Sequence, residues 1–192
     1  TGKLPKQEAD LSILELQNQQ RKLMLEEIEK QGLERKQLIE EVEKGIDDQG
    51  KTLMLVGIQR GGVKLAQLLG DSLSSLYGHE VLVGSVEPGL HRDDLSQRAM
   101  IELHATEVPT DPKDLVVVLV DDVLSTGRTV RAAIDALLGF GRPQCIRLAV
   151  LIDRGHRELP IRPDFVGKNL PTSLDERVEV RCDDAGSLQA VI

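Results

Sequence analysis

The fold of this chain is signalled most clearly by the segment Val116-Val117-Val118-Leu119-Val120-Asp121-Asp122-Val123-Leu124-Ser125-Thr126-Gly127-Arg128-Thr129-Val130-Arg131. Its first five residues are apolar and mostly β-branched, which is typical of a strand buried on both faces of a parallel sheet. Two carboxylates come next, and a short turn rich in hydroxyl groups then leads into a helical pattern. The stretch therefore predicts a strand, a turn and a helix, with polar groups gathered near the end of the strand.

The turn at residues 125–129 suits a phosphate group. Backbone N–H groups at the start of a helix are unpaired and lie at the positive end of the helix dipole, so they attract anions. Gly127 permits a close approach of the chain, and Arg128 adds positive charge. The hydroxyl groups of the turn are those of Ser125, Thr126 and Thr129.

The two carboxylates, Asp121 and Asp122, suit a sugar beside that phosphate. A carboxylate only accepts hydrogen bonds, as the vicinal hydroxyls of a ribose require. The alternative is a connection without a ligand, because Asp, Ser, Thr and Gly are also ordinary turn and cap residues. The complete run favours a sugar-phosphate site. Neither the Walker spacing nor the Gly-x-Gly-x-x-Gly dinucleotide fingerprint follows any predicted strand.

A similar strand, glycine-containing turn and helix occur upstream. Leu53–Ile58 is a predicted strand, Gln59-Arg60-Gly61-Gly62 is its turn, and a helical pattern runs from Val63 to Leu76. Further strands are expected at residues 80–86 and 145–152, with a helix from about 129 to 141. This alternation predicts an α/β fold with a mainly parallel sheet covered on both faces. Ligands of such sheets lie beyond the carboxyl ends of the strands.

The amino-terminal part of the chain reads as two helices. A polar helix is expected from about residue 7 to 31, and a second helix with an apolar face follows and ends near Gly45. We divide the chain into a helical extension at residues 1–32 and a main domain at residues 33–192. The line of apolar residues along one side of the first helix is interrupted by polar residues. This favours packing of the helix on its own domain over a coiled coil with a partner chain.

The run at 116–131 closely resembles the phosphoribosyl diphosphate (PRPP) motif of type I phosphoribosyltransferases. Its Asp-Asp-Val-Leu-x-Thr-Gly-Arg-Thr form is typical of the pyrimidine operon attenuation regulators, the PyrR family. Residues 148–162 and 166–173 are similar to the base-binding region of the same family. The resemblance is close between residue 115 and about residue 181, and it is weaker between about residue 53 and residue 115. It implies the type I phosphoribosyltransferase fold, with a mobile flap between residues 96 and 113.

The resemblance also implies a reaction, in which PRPP and uracil give UMP and diphosphate with Mg²⁺ bound mainly through PRPP. No protein metal site is expected, because Mg²⁺ keeps waters and binds substrate oxygens.

The implied catalytic residues are Asp121, Asp122 and Arg92. The implied PRPP-binding residues are Asp121, Asp122, Val123, Leu124, Ser125, Thr126, Gly127, Arg128 and Thr129. The implied diphosphate-binding residues are Gln59, Arg60, Gly61, Gly62, Arg92 and Asp93. The implied base-binding residues are Asp153, Arg154, Gly155 and His156.

A second implied role is regulation by attenuation, in which the protein binds pyrimidine operon leader mRNA when UMP or UTP occupies the nucleotide site. The residues predicted to contact RNA are Arg157, Arg162 and Lys168, and the alternative is an ordinary solvated charged surface. The net charge of −8 weakens the RNA prediction. Carboxylates also crowd residues 37–48, where the family has a basic and hydroxyl-bearing helix face, and they oppose phosphate.

Two further readings stay open at this point. The protein could be a nucleotide-binding module of the same fold that has lost transfer activity, RNA binding or both, because its diphosphate loop is altered and its flap is short. A hypoxanthine or orotate transferase is disfavoured by the Arg-Gly-His-Arg-Glu-Leu-Pro-Ile block at 154–161.

With two cysteines and no membrane-length apolar run, the chain is expected to be cytoplasmic. The family implies a homodimer or homotetramer.

Overall fold

A computed structural model of the chain describes residues 33–46, 52–89, 105–182 and 188–191. The helices and strands in these ranges, in chain order, are α1 (Leu33–Gly45), β1 (Leu53–Ile58), α2 (Gly61–Tyr77), β2 (Leu82–Val86), β3 (Val116–Leu124), α3 (Arg128–Leu138), β4 (Cys145–Asp153), β5 (Phe165–Asn169), β6 (Glu179–Cys182) and β7 (Leu188–Val191). No helix in the described ranges is both long and apolar enough to cross a membrane.

Five strands form one parallel sheet in the order β2-β1-β3-β4-β5, and β6 and β7 form a separate antiparallel pair. The carboxyl ends of the five strands therefore meet at one edge of the sheet. After β1 the chain turns to one side to build β2 and then returns to the other side for β3. Sheets of this order bind ligands at the crevice between β1 and β3, where the strand order reverses. Both glycine-containing turns lie at that crevice.

Apolar side chains cover both faces of the sheet, as the alternation of predicted strands and helices along the chain indicates. On one face, α1 and α2 pack Leu38, Val42 and Leu69 against the strands. On the other face, α3 contributes Val130 and Leu137. Burial on both faces explains why the strand sequences are almost continuously apolar. The predicted α/β fold with its parallel sheet is confirmed.

Some boundaries differ from the predictions. β3 continues through both carboxylates to Leu124, because its pairing with β4 extends to the Leu124–Asp153 position. α3 ends at Leu138 rather than near Gly141, and Gly141 has a φ of +150° in the loop that follows. β2 begins at Leu82 rather than at residue 80. The predicted first helix at 7–31 and most of the predicted flap lie outside the described residues.

Candidate active site at the carboxyl edge of the sheet

The turn after β1, residues 59–62, packs directly against the end of β3. A Cβ atom built on Gly62 would lie 2.1 Å from the carbonyl oxygen of Val120, and one built on Gly61 would lie 2.0 Å from Asp122 Oδ2. Real Cβ contacts are never this short, so neither position accepts a side chain without movement of its neighbour. The turn also contains a cis peptide bond between Gln59 and Arg60. The predicted diphosphate loop and the paired carboxylates are therefore in contact.

Local hydrogen bonds hold the two carboxylates of β3. Asp121 is buried, with 7 % of its surface exposed, and its Oδ1 accepts the N–H of Asp122 at 3.0 Å. Asp122 is half-buried, and its Oδ1 accepts the N–H of Val123 at 2.8 Å. Both side chains are thus oriented before a ligand arrives.

The turn after β3, residues 125–129, has the geometry of an anion site. Gly127 is the N-cap residue of α3, in a left-handed conformation with φ +90°, and as a glycine it supplies no side-chain cap of its own. The Thr126 hydroxyl accepts the N–H of Arg128 at 3.3 Å. The start of a helix presents N–H groups and the positive end of the helix dipole to an anion. We call residues 125–129 the phosphate turn.

The segment at the end of β4, residues 153–159, begins with a tight turn, and we call this segment the base loop. Asp153 Oδ1 accepts the N–H of Gly155 at 3.0 Å, and both Gly155 and His156 have positive φ angles, of +82° and +61°. The ring nitrogen Nε2 of His156 lies 2.7 Å from the carbonyl oxygen of Thr172. The guanidinium of Arg154 donates from Nη2 to the carbonyl oxygen of Ser173 at 3.1 Å. The residues that follow β5 therefore support this loop.

Two buried polar atoms near the base loop have no hydrogen-bond partner among the described residues, namely Arg154 Nε and Thr172 Oγ1. Buried polar atoms are nearly always paired, so such atoms are candidates for contact with water or a ligand. The base loop also borders a cleft of about 450 Å³. The cleft is lined by Asp153, Arg154, Gly155, Arg157, Arg162, Pro163, Val166, Asn169 and Pro171.

The residues predicted to contact RNA differ in their surroundings. Arg162 is exposed and lines the cleft, and Lys168 is half-buried on β5. Arg157 instead directs its guanidinium into the protein, where Nη2 lies 2.5 Å from Asp153 Oδ2 and Nη1 donates to the carbonyl oxygen of Ser125 at 2.8 Å. The RNA prediction for Arg157 stays a prediction, but the structure gives this side chain an intramolecular role.

The sequence did not indicate how the base loop and the phosphate turn meet. The N–H groups of Glu158 and Leu159 both donate to the carbonyl oxygen of Thr126, at 3.0 and 3.1 Å. Glu158 Oε2 also lies 2.6 Å from Arg128 Nε, so the charge of Arg128 is shared with a protein carboxylate. These contacts join residues about thirty positions apart, and no local pattern signals them.

Some site predictions lie beyond what the structure describes. Arg92 and Asp93 lie outside the described residues. Among the described residues, no three His, Cys, Asp or Glu side chains come together as metal ligands. Mg²⁺ commonly uses one or two carboxylates together with substrate phosphates. The adjacent Asp121 and Asp122, one buried and one half-buried, suit that manner of binding.

Comparison with known proteins agrees with this geometry. Residues 24–184 match the family model described as phosphoribosyl transferase domain. A bifunctional protein PyrR from Ligilactobacillus salivarius is 54 % identical over 144 residues, which cover 73 % of this chain and 79 % of that protein. Its counterpart in Listeria welshimeri is 55 % identical over 138 residues, covering 70 % and 75 %. A hypoxanthine-guanine phosphoribosyltransferase structure from Bacillus anthracis has a TM-score of 0.56 at 16 % identity, covering 77 % and 79 %, and supports the fold alone.

Proposed function

Because the chain belongs to the phosphoribosyltransferase family, in the branch of the bifunctional PyrR proteins, we propose that it transfers a phosphoribosyl group from PRPP to uracil. The products are UMP and diphosphate. One observation carries the proposal, which is the phosphate turn at the start of α3 beside two oriented carboxylates at the β1/β3 crevice. PRPP is a ligand with a phosphate, a ribose and a diphosphate, and this crevice offers a matching group for each.

The reaction breaks the bond between ribose C1 and the diphosphate oxygen and forms a bond between C1 and N1 of uracil, while the N1 proton is released. Positive charge develops on the ribose as diphosphate departs, so catalysis depends on orientation and on fixed charges. Asp121 and Asp122 hold the ribose hydroxyls and supply negative charge near the ring. The backbone of residues 59–62 holds the departing diphosphate. No covalent nucleophile is required.

Asp121 and Asp122 are the described residues that would help to hold a Mg²⁺ ion brought with PRPP, and the ion would offset the negative charge of the diphosphate. Arg92 and Asp93 are proposed as further diphosphate contacts on the basis of the family resemblance. The remaining residues of the phosphate turn bind the 5′-phosphate through their N–H and hydroxyl groups. Arg128 acts here with its charge partly offset by Glu158.

The base loop is the proposed uracil site, with Asp153, Arg154, Gly155 and His156 as its residues. It lies beside the phosphate turn at the carboxyl edge, since Asp153 pairs with Leu124 in the sheet. The unpartnered Arg154 Nε and Thr172 Oγ1 support a polar contact in this region. We also propose that residues 33–192 form the transferase domain and residues 1–32 an extension.

The second proposed role is binding of pyrimidine operon leader mRNA in response to UMP or UTP. The exposed Arg162 and the half-buried Lys168 of β5 are the candidates for phosphate contact, and a homodimer or homotetramer would repeat them. Helix α1 opposes such a contact on its own surface, because Glu40, Glu41 and Glu43 are exposed there. RNA binding is therefore expected through Arg162 and Lys168 and not through α1.

A turnover assay with PRPP and a panel of bases tests the enzymatic proposal. We expect diphosphate release with uracil and Mg²⁺, and much slower release with hypoxanthine, guanine or orotate. Equal or faster turnover of one of those bases would contradict the assignment to uracil. Binding of PRPP or UMP without turnover of any base would identify the module that has lost transfer. Retention of leader RNA on the immobilised protein, with and without UMP, tests the regulatory role separately.

A further inference from the structure

We propose that Arg157 is a positioning residue that fixes the phosphate turn against the base loop, so that one side chain sets the geometry of both halves of the nucleotide site. The proposal rests on the proposed function, because it assumes that these two segments bind the phosphate and the base. It concerns a residue that the sequence assigned to RNA contact only.

The guanidinium of Arg157 makes four hydrogen bonds within the protein. Nη2 pairs with Asp153 Oδ2 at 2.5 Å, and Nη1 donates to the carbonyl oxygens of Ser125 at 2.8 Å and Gly155 at 3.2 Å. Nε donates to the carbonyl oxygen of Ile161 at 2.9 Å. An arginine has five N–H donors, so four of the five are used. The side chain thus connects β4, the base loop and the phosphate turn.

The hydrogen bond to Ser125 determines the direction of an N–H group in the turn. In a planar trans peptide the carbonyl and the following N–H point in opposite directions. The Ser125 carbonyl points to Arg157, so the N–H of Thr126 points away from the base loop. The Thr126 carbonyl accepts from Glu158 and Leu159, so the N–H of Gly127 is turned in the same manner. The base loop therefore aims successive N–H groups of the phosphate turn at an anion on its far side.

The geometry requires arginine. The Arg157 and Asp153 side chains are only 22 % and 15 % exposed, so their pair is partly shielded from water. A lysine preserves the charge opposite Asp153, but its single ammonium group cannot reproduce the planar fork that reaches several carbonyls. A lysine at position 157 is therefore expected to keep the ion pair with Asp153 and to lose the hydrogen bond to the phosphate turn. The two contributions can then be measured separately.

Arg157→Lys and Arg157→Gln test the proposal through steady-state kinetics and the calorimetric affinity for UMP. For R157K we expect the KM for PRPP and the Kd for UMP to rise about tenfold, the loss of one hydrogen bond to a charged group, with little change in the KM for uracil. For R157Q, which also removes the ion-pair partner of Asp153, we expect both KM values to rise and kcat/KM for PRPP to fall about a hundredfold. A purely structural role would lower the melting temperature and leave the KM values unchanged.

Arg131→Gln is the matched control, because Arg131 also pairs with an aspartate four positions away, Asp135, but on the exposed surface of α3. We expect R131Q to change each KM by less than about twofold, as for an exposed ion pair. R157K with an unchanged KM for PRPP and an unchanged Kd for UMP would overturn the proposal. If the native protein binds UMP but transfers to no base, the proposed activity fails while UMP affinities still decide the role of Arg157. If the native protein binds neither PRPP nor UMP, both are wrong.

Discussion

The two turns that form the crevice, residues 59–62 after β1 and the phosphate turn after β3, occupy equivalent places but are held in different ways. Each follows a central strand of the parallel sheet and leads into a helix. The first turn is held by close packing, since Gly62 leaves no space for a Cβ beside the Val120 carbonyl. The phosphate turn is held by hydrogen bonds to its Ser125 and Thr126 carbonyls from the segment that follows β4.

This difference predicts how each turn responds to change. A close-packed turn is distorted when an atom is added, because the neighbouring backbone carbonyl cannot move away without distortion of its strand. A hydrogen-bonded turn tolerates small additions and fails when a donor is removed. Substitutions of glycine should therefore be most harmful at residues 61 and 62, and substitutions in the base loop should act on the phosphate turn.

Gly62→Ala should have the largest effect. The new Cβ would lie 2.1 Å from the Val120 carbonyl oxygen, so the end of β3 or the start of α2 must shift. We expect a loss of about 1–3 kcal/mol of stability, and kcat/KM for PRPP lower by more than about a hundredfold. Thermal unfolding and steady-state kinetics measure both effects. Gly139→Ala is the control, because Gly139 has a right-handed φ of −66° and its nearest contact would be at 3.2 Å. Native activity in G62A would contradict close packing of this turn.

Gly61→Ala should come next and should separate activity from stability. Its Cβ would meet the carboxylate of Asp122 at 2.0 Å, and a side chain can rotate away more easily than a backbone can shift. We expect a melting temperature close to that of the native protein and a kcat/KM about tenfold to a hundredfold lower, because Asp122 is displaced. A fully active G61A would exclude a ribose-binding position for Asp122.

Gly127→Ala should have an intermediate effect. The left-handed φ of +90° strains any side chain, at a cost of about 1–2 kcal/mol, whereas the nearest contact, Ile161 Cβ at 3.3 Å, is only slightly tight. We expect a moderate loss of stability and a KM for PRPP raised about threefold to tenfold, since the N–H groups of the phosphate turn are misaligned. An unchanged KM for PRPP, with the expected loss of stability, would argue against phosphate binding at this turn.

Glu158→Gln should have the smallest effect. Its ion pair with Arg128 is largely exposed, at 35 % and 51 %, and its main-chain N–H still donates to the Thr126 carbonyl after the substitution. Exposed ion pairs contribute about 0–1 kcal/mol, so we expect the KM for PRPP to change by less than about threefold. A large rise in the KM would indicate that the Glu158–Arg128 pair, and not Arg157, sets the phosphate turn.

Local sequence patterns predicted most of the fold and the positions of the two turns. The apolar run before Asp121 and the helical pattern after Gly127 are each signalled by neighbouring residues, so strand, turn and helix could be located. The end of α3 was misplaced, because Gly139 and Gly141 are both plausible stops and only the loop conformation decides between them.

The bracing of the site could not be predicted. Arg157 and Ser125 are 32 positions apart, and His156 and Thr172 are 16 apart. Such contacts depend on how β3, β4 and β5 are placed side by side. The type of a charged or hydroxyl side chain does not indicate which residue far along the chain it will contact. The exposed basic residue expected in the sequence at position 157 is therefore a half-buried one in the fold.

The most direct test is a crystal structure of the protein with UMP bound. We predict that the phosphate of UMP contacts the N–H groups of residues 125–129, with the ribose hydroxyls at Asp121 and Asp122 and the base at residues 153–156. A phosphate turn left empty at saturating UMP, or a UMP phosphate bound elsewhere on the protein, would contradict the account.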